Sequence, residues 1–261
     1  PLYKINETVD DKATLITSYA DSLGTAGDAT SNSGDLVTSS PAPVLGTGCL
    51  NFDGDGGSPA NDNIDCFAAL DSMEGTGSVS LWFNSDASQE RILWSVQDAS
   101  ASVGLEVKTR TDGKCAINGS GGGMSTLELV STETFTDTNW VHLVITQDGT
   151  NCKIYVNGTV GQSGTDTGDW ISDISGIDGG NFACKAPRNS NPIDEFFNGK
   201  LDDIGIWDRA LTSGEVSSLY GGGSSPQLCT TIPSGLKVYY NCDSATVKNN
   251  AVGWVERGTA I

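Results

Sequence analysis

The sequence is short of positive charge, histidine, methionine and long apolar runs. It carries 14 Lys and Arg against 33 Asp and Glu, a net charge of −19. Nucleic acid is thereby excluded as a partner, since grip on phosphates takes a basic footprint. The same charge disfavours anionic membrane surfaces. No stretch stays apolar for the roughly 18 residues of a membrane span, so no membrane insertion is expected. A single histidine, His142, and no Cys-x-x-Cys pair leave zinc without a ligand set. The chain begins at Pro1 rather than Met, which reads as a processed or excised piece whose missing signal peptide is uninformative.

What is present is turn chemistry. There are 33 Gly and only 18% charged residues, a mixture that favours short strands joined by many turns. At 261 residues the chain can form one large all-β domain or two smaller ones, with a real core. The acidity suits a divalent cation, a salty setting or a solvated extracellular surface. Seven cysteines, at 49, 66, 115, 152, 184, 229 and 242, fit disulfides in an exported protein, with one left free or bridging chains. Sequons at Asn6, Asn118 and Asn157 agree with that setting as glycosylation acceptors.

Strands are expected at Leu2–Asn6, Cys49–Asp53, Ser78–Asn84, Arg91–Gln97, Val103–Thr109, Cys115–Asn118, Thr126–Val130 and Phe182–Lys185. Residues 31–47 read as irregular. The turn-rich segment from Tyr19 to Thr30 holds Asp21 and Asp28 around two glycines. Asp53 opens an oxygen-rich loop with an Asp-x-Asp-Gly start that lacks the twelfth-position Glu of an EF-hand. Gly121-Gly-Gly123 has no Lys-Ser/Thr or helix after it and reads as a flexible turn, not a phosphate loop.

The strongest hairpin joins Trp140–Gln147 to Thr150–Asn157 through Asp148-Gly149. A two-residue turn sets Gln147 opposite Thr150, Ile145 opposite Cys152, Leu143 opposite Ile154 and Val141 opposite Val156. One face is then wholly apolar. The other carries Trp140, His142 and Val144 against Asn157, Tyr155 and Lys153.

The chain turns on Phe197–Tyr220. Alternation from Leu201 to Trp207 puts Asp202, Ile204 and Ile206 on one face and Asp203 on the other. Asp202 then points toward a core rim, where a bare carboxylate is costly unless paired or holding a metal. Thr212-Ser-Gly-Glu215 has capping-box spacing before Val216 and Leu219, and Gly221–Gly223 end the helix. Residues 223–234 read as a linker. Residues 227–261 hold three basic and two acidic side chains, leaving 11 basic and 31 acidic elsewhere, a net −20. Leu236–Asp243 echoes Leu2–Glu7 and reads as the start of a second, truncated copy over 235–261, or as a subunit-linking tail. A lone strand must pack on the first domain or pair with another chain.

Taken in order, Leu50-Asn-Phe-Asp-Gly54, Ser78-Val-Ser-Leu-Trp-Phe83, Trp140–Gly149, Ile154-Tyr-Val-Asn-Gly158 and Phe197–Leu211 resemble laminin-G-like domains of the concanavalin A-like lectin/glucanase superfamily. The resemblance covers residues 1–222. It implies an all-β jelly-roll sandwich of two antiparallel sheets with a short C-terminal helix, plus the C-terminal extension. It also implies a structural Ca²⁺ held by Asp21, the Gly24 carbonyl, Asp28 and Asp202, with Asp53 and Asp203 as second choices.

The superfamily contains glycosidases, whose retaining members need two carboxylates about 5 Å apart. Glu128 and Glu133 are five apart and fall on opposite faces, and neighbours such as Asp202 and Asp203 point opposite ways on a strand. No catalytic constellation is visible. One reading is therefore a non-catalytic, calcium-stabilised module recognising a glycan or surface protein. Its aromatic platforms are Trp170, or the face of Trp140, His142 and Tyr155. The other is a self-assembling subunit of a surface layer, appendage or virion, associating through residues 227–261. Both place the chain outside the cell, at a cell surface or on a virion.

Overall fold

The computed structural model describes residues 42–54, 63–70, 73–86, 88–98, 100, 103–121, 124–136, 139–174, 176–185 and 195–243, and the backbone of two short strands before them. Its elements run β1 (Thr30–Ser31), β2 (Asp35–Val37), β3 (Cys49–Asp53), β4 (Ile64–Asp65), α1 (Phe67–Leu70), β5 (Gly77–Ser85), β6 (Arg91–Asp98), β7 (Val103–Thr109) and β8 (Cys115–Gly121). There follow β9 (Met124–Ser131), β10 (Val141–Gln147), β11 (Cys152–Val156), β12 (Thr159–Val160), β13 (Gln162–Thr165), β14 (Gly179–Phe182), β15 (Asn198–Trp207), α2 (Ser213–Tyr220) and β16 (Leu236–Tyr240). The strand expected at Leu2–Asn6 lies outside the described residues.

The strands form two antiparallel sheets, as expected of a jelly-roll sandwich. One runs β1-β4-β14-β6-β7-β8-β9-β13. The other runs β12-β11-β10-β5-β15-β3-β2, with β16 also on β15. Alternation explains the layer between them. Val79, Leu81 and Phe83 of β5 meet Leu93, Trp94 and Val96 of β6 in the inter-sheet core, while Ser78, Ser80 and Trp82 face the other way. Each such apolar side chain contributes about 1.5–3 kcal/mol on burial.

Three expectations need correction. First, the β10–β11 loop has four residues, Asp148–Asn151, and pairs Gln147 with Cys152, Ile145 with Ile154 and Leu143 with Val156. The Asp148 carboxylate accepts from the amides of Thr150 and Asn151 at 3.0 and 2.8 Å, a local cap that widens the turn. The slip is two residues, so each side chain keeps its face. Second, residues 31–47 include β2 and the last residue of β1, and the strand expected at Phe182–Lys185 is β14, ending at Phe182. Third, all seven cysteines are buried thiols, with no disulfide among them. Burial pushes the Cys49 thiol up to about 11 and raises those of Cys66, Cys115 and Cys152 further.

β15 is also not a regular strand. Its register on β5 shifts between Asp202 and Gly205, and Asp203 has φ 45°. This bulge breaks the alternation, so Leu201, Ile204 and Ile206 all reach the inter-sheet core. Asp202 follows inward-facing Leu201 and so turns away from that core. The Asp203 carboxylate reaches Cys229, which belongs to the outer cluster. The two carboxylates thus share a side instead of opposing one another.

Helix α2 follows its sequence signals. Thr212 Oγ1 accepts from Glu215 N at 3.2 Å, Glu215 Oε2 accepts from Thr212 N at 2.8 Å, and Gly221 ends the helix with φ 58°. Its Val216 and Leu219 bury against Val144, Tyr155 and Trp207, forming a second apolar cluster on the outside of the β10-containing sheet. Beyond it, β16 pairs antiparallel with β15, Ile204 opposite Tyr240 and Ile206 opposite Val238. β3 pairs with the earlier residues of the same strand, Asn198 to Leu201. The two strands therefore lie end to end along one flank of β15, meeting at Asp202 and Asp203.

Candidate functional site

The structure separates the aromatic candidates. Trp170 is 0% exposed; its ring packs 6.0 Å from Trp94 in the inter-sheet core, so it is no surface platform. Its polar neighbours in sequence masked that role. His142 and Tyr155 are also buried, because the apolar side of α2 needs cover and takes it from the outer face of β10 and β11. His142 Nε2 sits 2.9 Å from Ser80 Oγ, and burial lowers its pKa to about 3, so the imidazole is neutral. Trp140 alone of the four remains half-buried at the surface, its indole N–H donating to the Ala42 carbonyl at 2.8 Å.

Trp140 lies on a groove of about 610 Å³, within the size range of small-molecule sites. Its apolar wall is Val44, Trp82, Phe135, Trp140, Val141, Tyr220 and Pro226; its polar groups come from Thr134, Thr136, Asn139, Asn157 and Ser224. The sequence positions these groups through turns. Asn157 takes φ 50° and its Oδ1 accepts from His142 N at 2.9 Å, which holds it in the groove wall. Gly158, at φ 73°, has no Cβ because one would stand 2.8 Å from Tyr220 Cδ1. Tyr220 therefore reaches back from the end of α2 and stacks on Trp82, with centroids 6.0 Å apart. Among the described residues, no Asp, Glu, Lys, Arg or His lines this groove. Tyr220 was missed in the sequence because its position as the last residue of a helix gives no hint of the Asn157-Gly158 turn beneath it.

The acidic candidates form a different arrangement. Asp202 is fully buried; its Oδ2 accepts from Val44 N and Leu45 N at 2.9 and 3.1 Å, and its Oδ1 from Asp203 N at 2.9 Å. Those amides stand where a strand partner is missing between β3 and β16. Burial raises the pKa of both Asp202 and Asp203. Asp203 Oδ2 accepts from Cys229 N at 3.3 Å, while its Oδ1 is buried with no hydrogen-bond partner. Asp53 is exposed at the far end of β3, opposite Asn198, roughly 13 Å along the sheet from Asp202 by strand rise. Asp21, Gly24, Asp28 and Asn6 lie outside the described residues. Calcium takes six to eight oxygens, and among the described residues no group of three His, Cys, Asp or Glu converges. These residues offer one orphaned carboxylate oxygen and do not make a calcium site on their own.

A polar row that the sequence did not reveal crosses the other sheet. Asp65, Asn181, Ser95, Glu106, Asn118, Glu128 and Thr165 stand opposite one another on consecutive strands. Glu106 accepts from Lys185 Nζ at 3.2 Å and from Gln97 Nε2 at 3.2 Å. The side-chain oxygens of Gln97 and Asn118 have no partner. Alternation within β7, where Glu106 and Lys108 interrupt apolar residues, was the available signal. The row needs the strand order, which no single strand encodes.

Residues 55–217 match the laminin-G-type family model described as the concanavalin A-like lectin/glucanases superfamily. No curated protein matches the chain in sequence. Among solved structures, the NanB sialidase of Streptococcus pneumoniae is similar at 18% identity and a TM-score of 0.53, over 67% of this chain and 28% of that one. The CBM40 of a Ruminococcus gnavus IT-sialidase, bound to sialyllactose, matches at 14% identity and a TM-score of 0.53, over 70% of this chain and 100% of that one. A leech intramolecular trans-sialidase matches at 18% identity and a TM-score of 0.51, over 64% of this chain and 26% of that one. At these identities the likeness shows the fold alone, and the chain spans only about a quarter of either whole sialidase.

Proposed function

The chain belongs to the concanavalin A-like lectin/glucanases superfamily, and we propose that it is a non-catalytic glycan-recognition module whose site is the groove beside Trp140. One observation carries the reading: two surface-reaching aromatic rings, Trp140 and Tyr220, border a groove whose remaining polar groups are amides and hydroxyls. Sugars present an apolar C–H face and a rim of hydroxyls, which that pairing matches. The similarity to a sialyllactose-bound CBM40 supports the ligand class. Glycoside hydrolysis takes two carboxyl groups across the scissile bond, and the described lining of the groove offers none. The reading carries an extracellular, cell-surface or virion-surface setting with it, since that is where glycans are displayed.

A glycan array tests it. Specific binding that Trp140→Ala abolishes, with the fold intact by circular dichroism, supports the reading; no binding to any glycan sinks it. Calcium enters as a second proposal, with Asp202 joined by Asp21, Gly24 and Asp28. Its support is the cost of keeping a carboxylate buried without a cation. The self-assembling reading finds no favouring observation: of the two placements open to it, Leu236–Tyr240 takes the first and pairs within its own chain.

A further inference from the structure

Among the described residues the groove wall is polar without being charged. Its hydrogen-bonding groups are the hydroxyls of Thr134, Thr136 and Ser224 and the amides of Asn139 and Asn157. No described Lys or Arg is among the lining residues. Lys108, Arg110, Lys185, Arg209 and Lys237 are held by acids elsewhere, on Glu90, Asp112, Glu106, Glu215 and Asp208. The whole chain carries a net −19.

Resting on the glycan reading, we infer that the groove selects neutral sugars and rejects sialylated or sulfated ones. An acidic sugar would bring a carboxylate or sulfate out of water into a cleft whose described lining holds no cation to receive it. It would do so against the field of a strongly negative protein. A neutral pyranose meets neither cost. Each of its hydroxyls both donates and accepts, and so do the groups that face it. Asn139 Nδ2 donates one proton to Thr136 Oγ1 at 2.9 Å and keeps its oxygen for a ligand. Asn157 gives its oxygen to His142 N and keeps its amide protons. The two amides thus offer an acceptor and a donor on the same wall, while Trp140 supplies the stacking surface. The discrimination arises from missing charge, and no clash is needed.

Calorimetry on the whole chain with a panel of neutral oligosaccharides and their sialylated counterparts, lactose and sialyllactose included, tests this. The expected result is binding to neutral members, with each sialylated counterpart at least about tenfold weaker, the loss when an anion gives up water without gaining a cation. Raising NaCl from about 0.05 to 0.5 M should leave the neutral affinity unchanged and narrow the gap, because only the charged ligand is repelled. Asn139 is exposed, so Asn139→Ala keeps the fold and should weaken the neutral ligand at least about threefold, the loss of one hydrogen bond. A sialylated glycan binding more tightly than its neutral parent overturns the inference and leaves the glycan reading standing. Binding to no member takes both down. Neutral binding untouched by both Asn139→Ala and Trp140→Ala moves the site elsewhere and overturns the inference for this groove.

Discussion

The rings of His142 and Tyr220 lie almost parallel, 9° between planes and 6.2 Å between centroids, with Trp82 4.8 Å from the imidazole and stacked on Tyr220. A strand side chain from β10 and the last residue of α2 thus share one aromatic stack, and the imidazole inside it is dry. Burial holds its pKa at about 3, below the ordinary value near 6.5. The unfolded chain therefore binds the extra proton between those limits, and this group's contribution to stability falls as pH drops from about 6.5 toward 3. The chain has a single histidine, so one imidazole NMR signal reports it. It should stay neutral in the folded chain at pH 5 and titrate near 6.5 in denaturant. Titration near 6.5 in the folded state would contradict its burial.

Gly158→Ala should destabilise the fold by about 1–3 kcal/mol, since it combines a left-handed backbone with a Cβ driven into a packed ring. The added carbon would stand 2.8 Å from Tyr220 Cδ1. Denaturant titration gives the size of the loss, and a changed near-UV spectrum would show the Trp82–Tyr220 stack displaced. An unchanged midpoint would mean that Tyr220 is loosely held.

The α2 N-terminus supplies a third case. Thr212→Ala should cost about 1 kcal/mol, the usual worth of an N-cap hydroxyl. Glu215 adds a pH signature. Hydrogen bonds from Arg209 at 2.6 and 3.0 Å hold its carboxyl at about 2. Its stabilising contribution is complete above the ordinary glutamate value and is lost as pH falls through about 2. Glu215→Gln should flatten that acid limb while keeping most of the helix, as read by circular dichroism melts at pH 2 to 5.

Asp202→Ala removes the acceptor of three backbone amides, Val44 N, Leu45 N and Asp203 N. A loss of about 2–4 kcal/mol is expected, the cost of leaving partly buried donors unmet. Asp202→Asn keeps an acceptor oxygen and should lose less. If a calcium ion also sits there, chelator lowers the melting temperature of the unaltered chain and leaves Asp202→Ala unmoved. Equal melting with and without chelator, in a chain stripped of metal and then reloaded, removes calcium from the account.

Trp170→Ala should cost about 3–5 kcal/mol as a core cavity, and Trp170→Phe less. The milder variant should bind glycan like the unaltered chain, because Trp170 is sealed between the sheets. Lost affinity in a well-folded Trp170→Phe would restore it as a contact residue.

Sequence alone carried the layers and lost the local breaks. Alternation in β5 and β7, the capping box at Thr212 and the Gly221 stop were all legible, because each is written within one turn or strand. The extra loop residues after Asp148 were not, since an Asp-Gly pair fits a tight turn equally well until the Asp side chain caps the amides beyond it. The bulge at Asp203 escaped for a similar reason: period-two counting assumes an unbroken strand. Trp140 was found by its place in a hairpin motif. Its partner Tyr220 and the burial of His142 and Tyr155 depended on where α2 lands, a tertiary fact that neither segment states alone.

The end-to-end seating of β3 and β16 along β15 bears on how the chain is made. During synthesis β15 emerges with β3 and β5 available to it, yet its second half has one bare edge. That edge stays open until Leu236–Tyr240 leaves the ribosome, some 30 residues later by sequence count from Trp207. Exposed strand edges recruit other chains. The nascent protein should therefore be most prone to aggregation in the interval between the emergence of Trp207 and that of Tyr240. β16 closes that edge, after long-range pairing has set the strands before it.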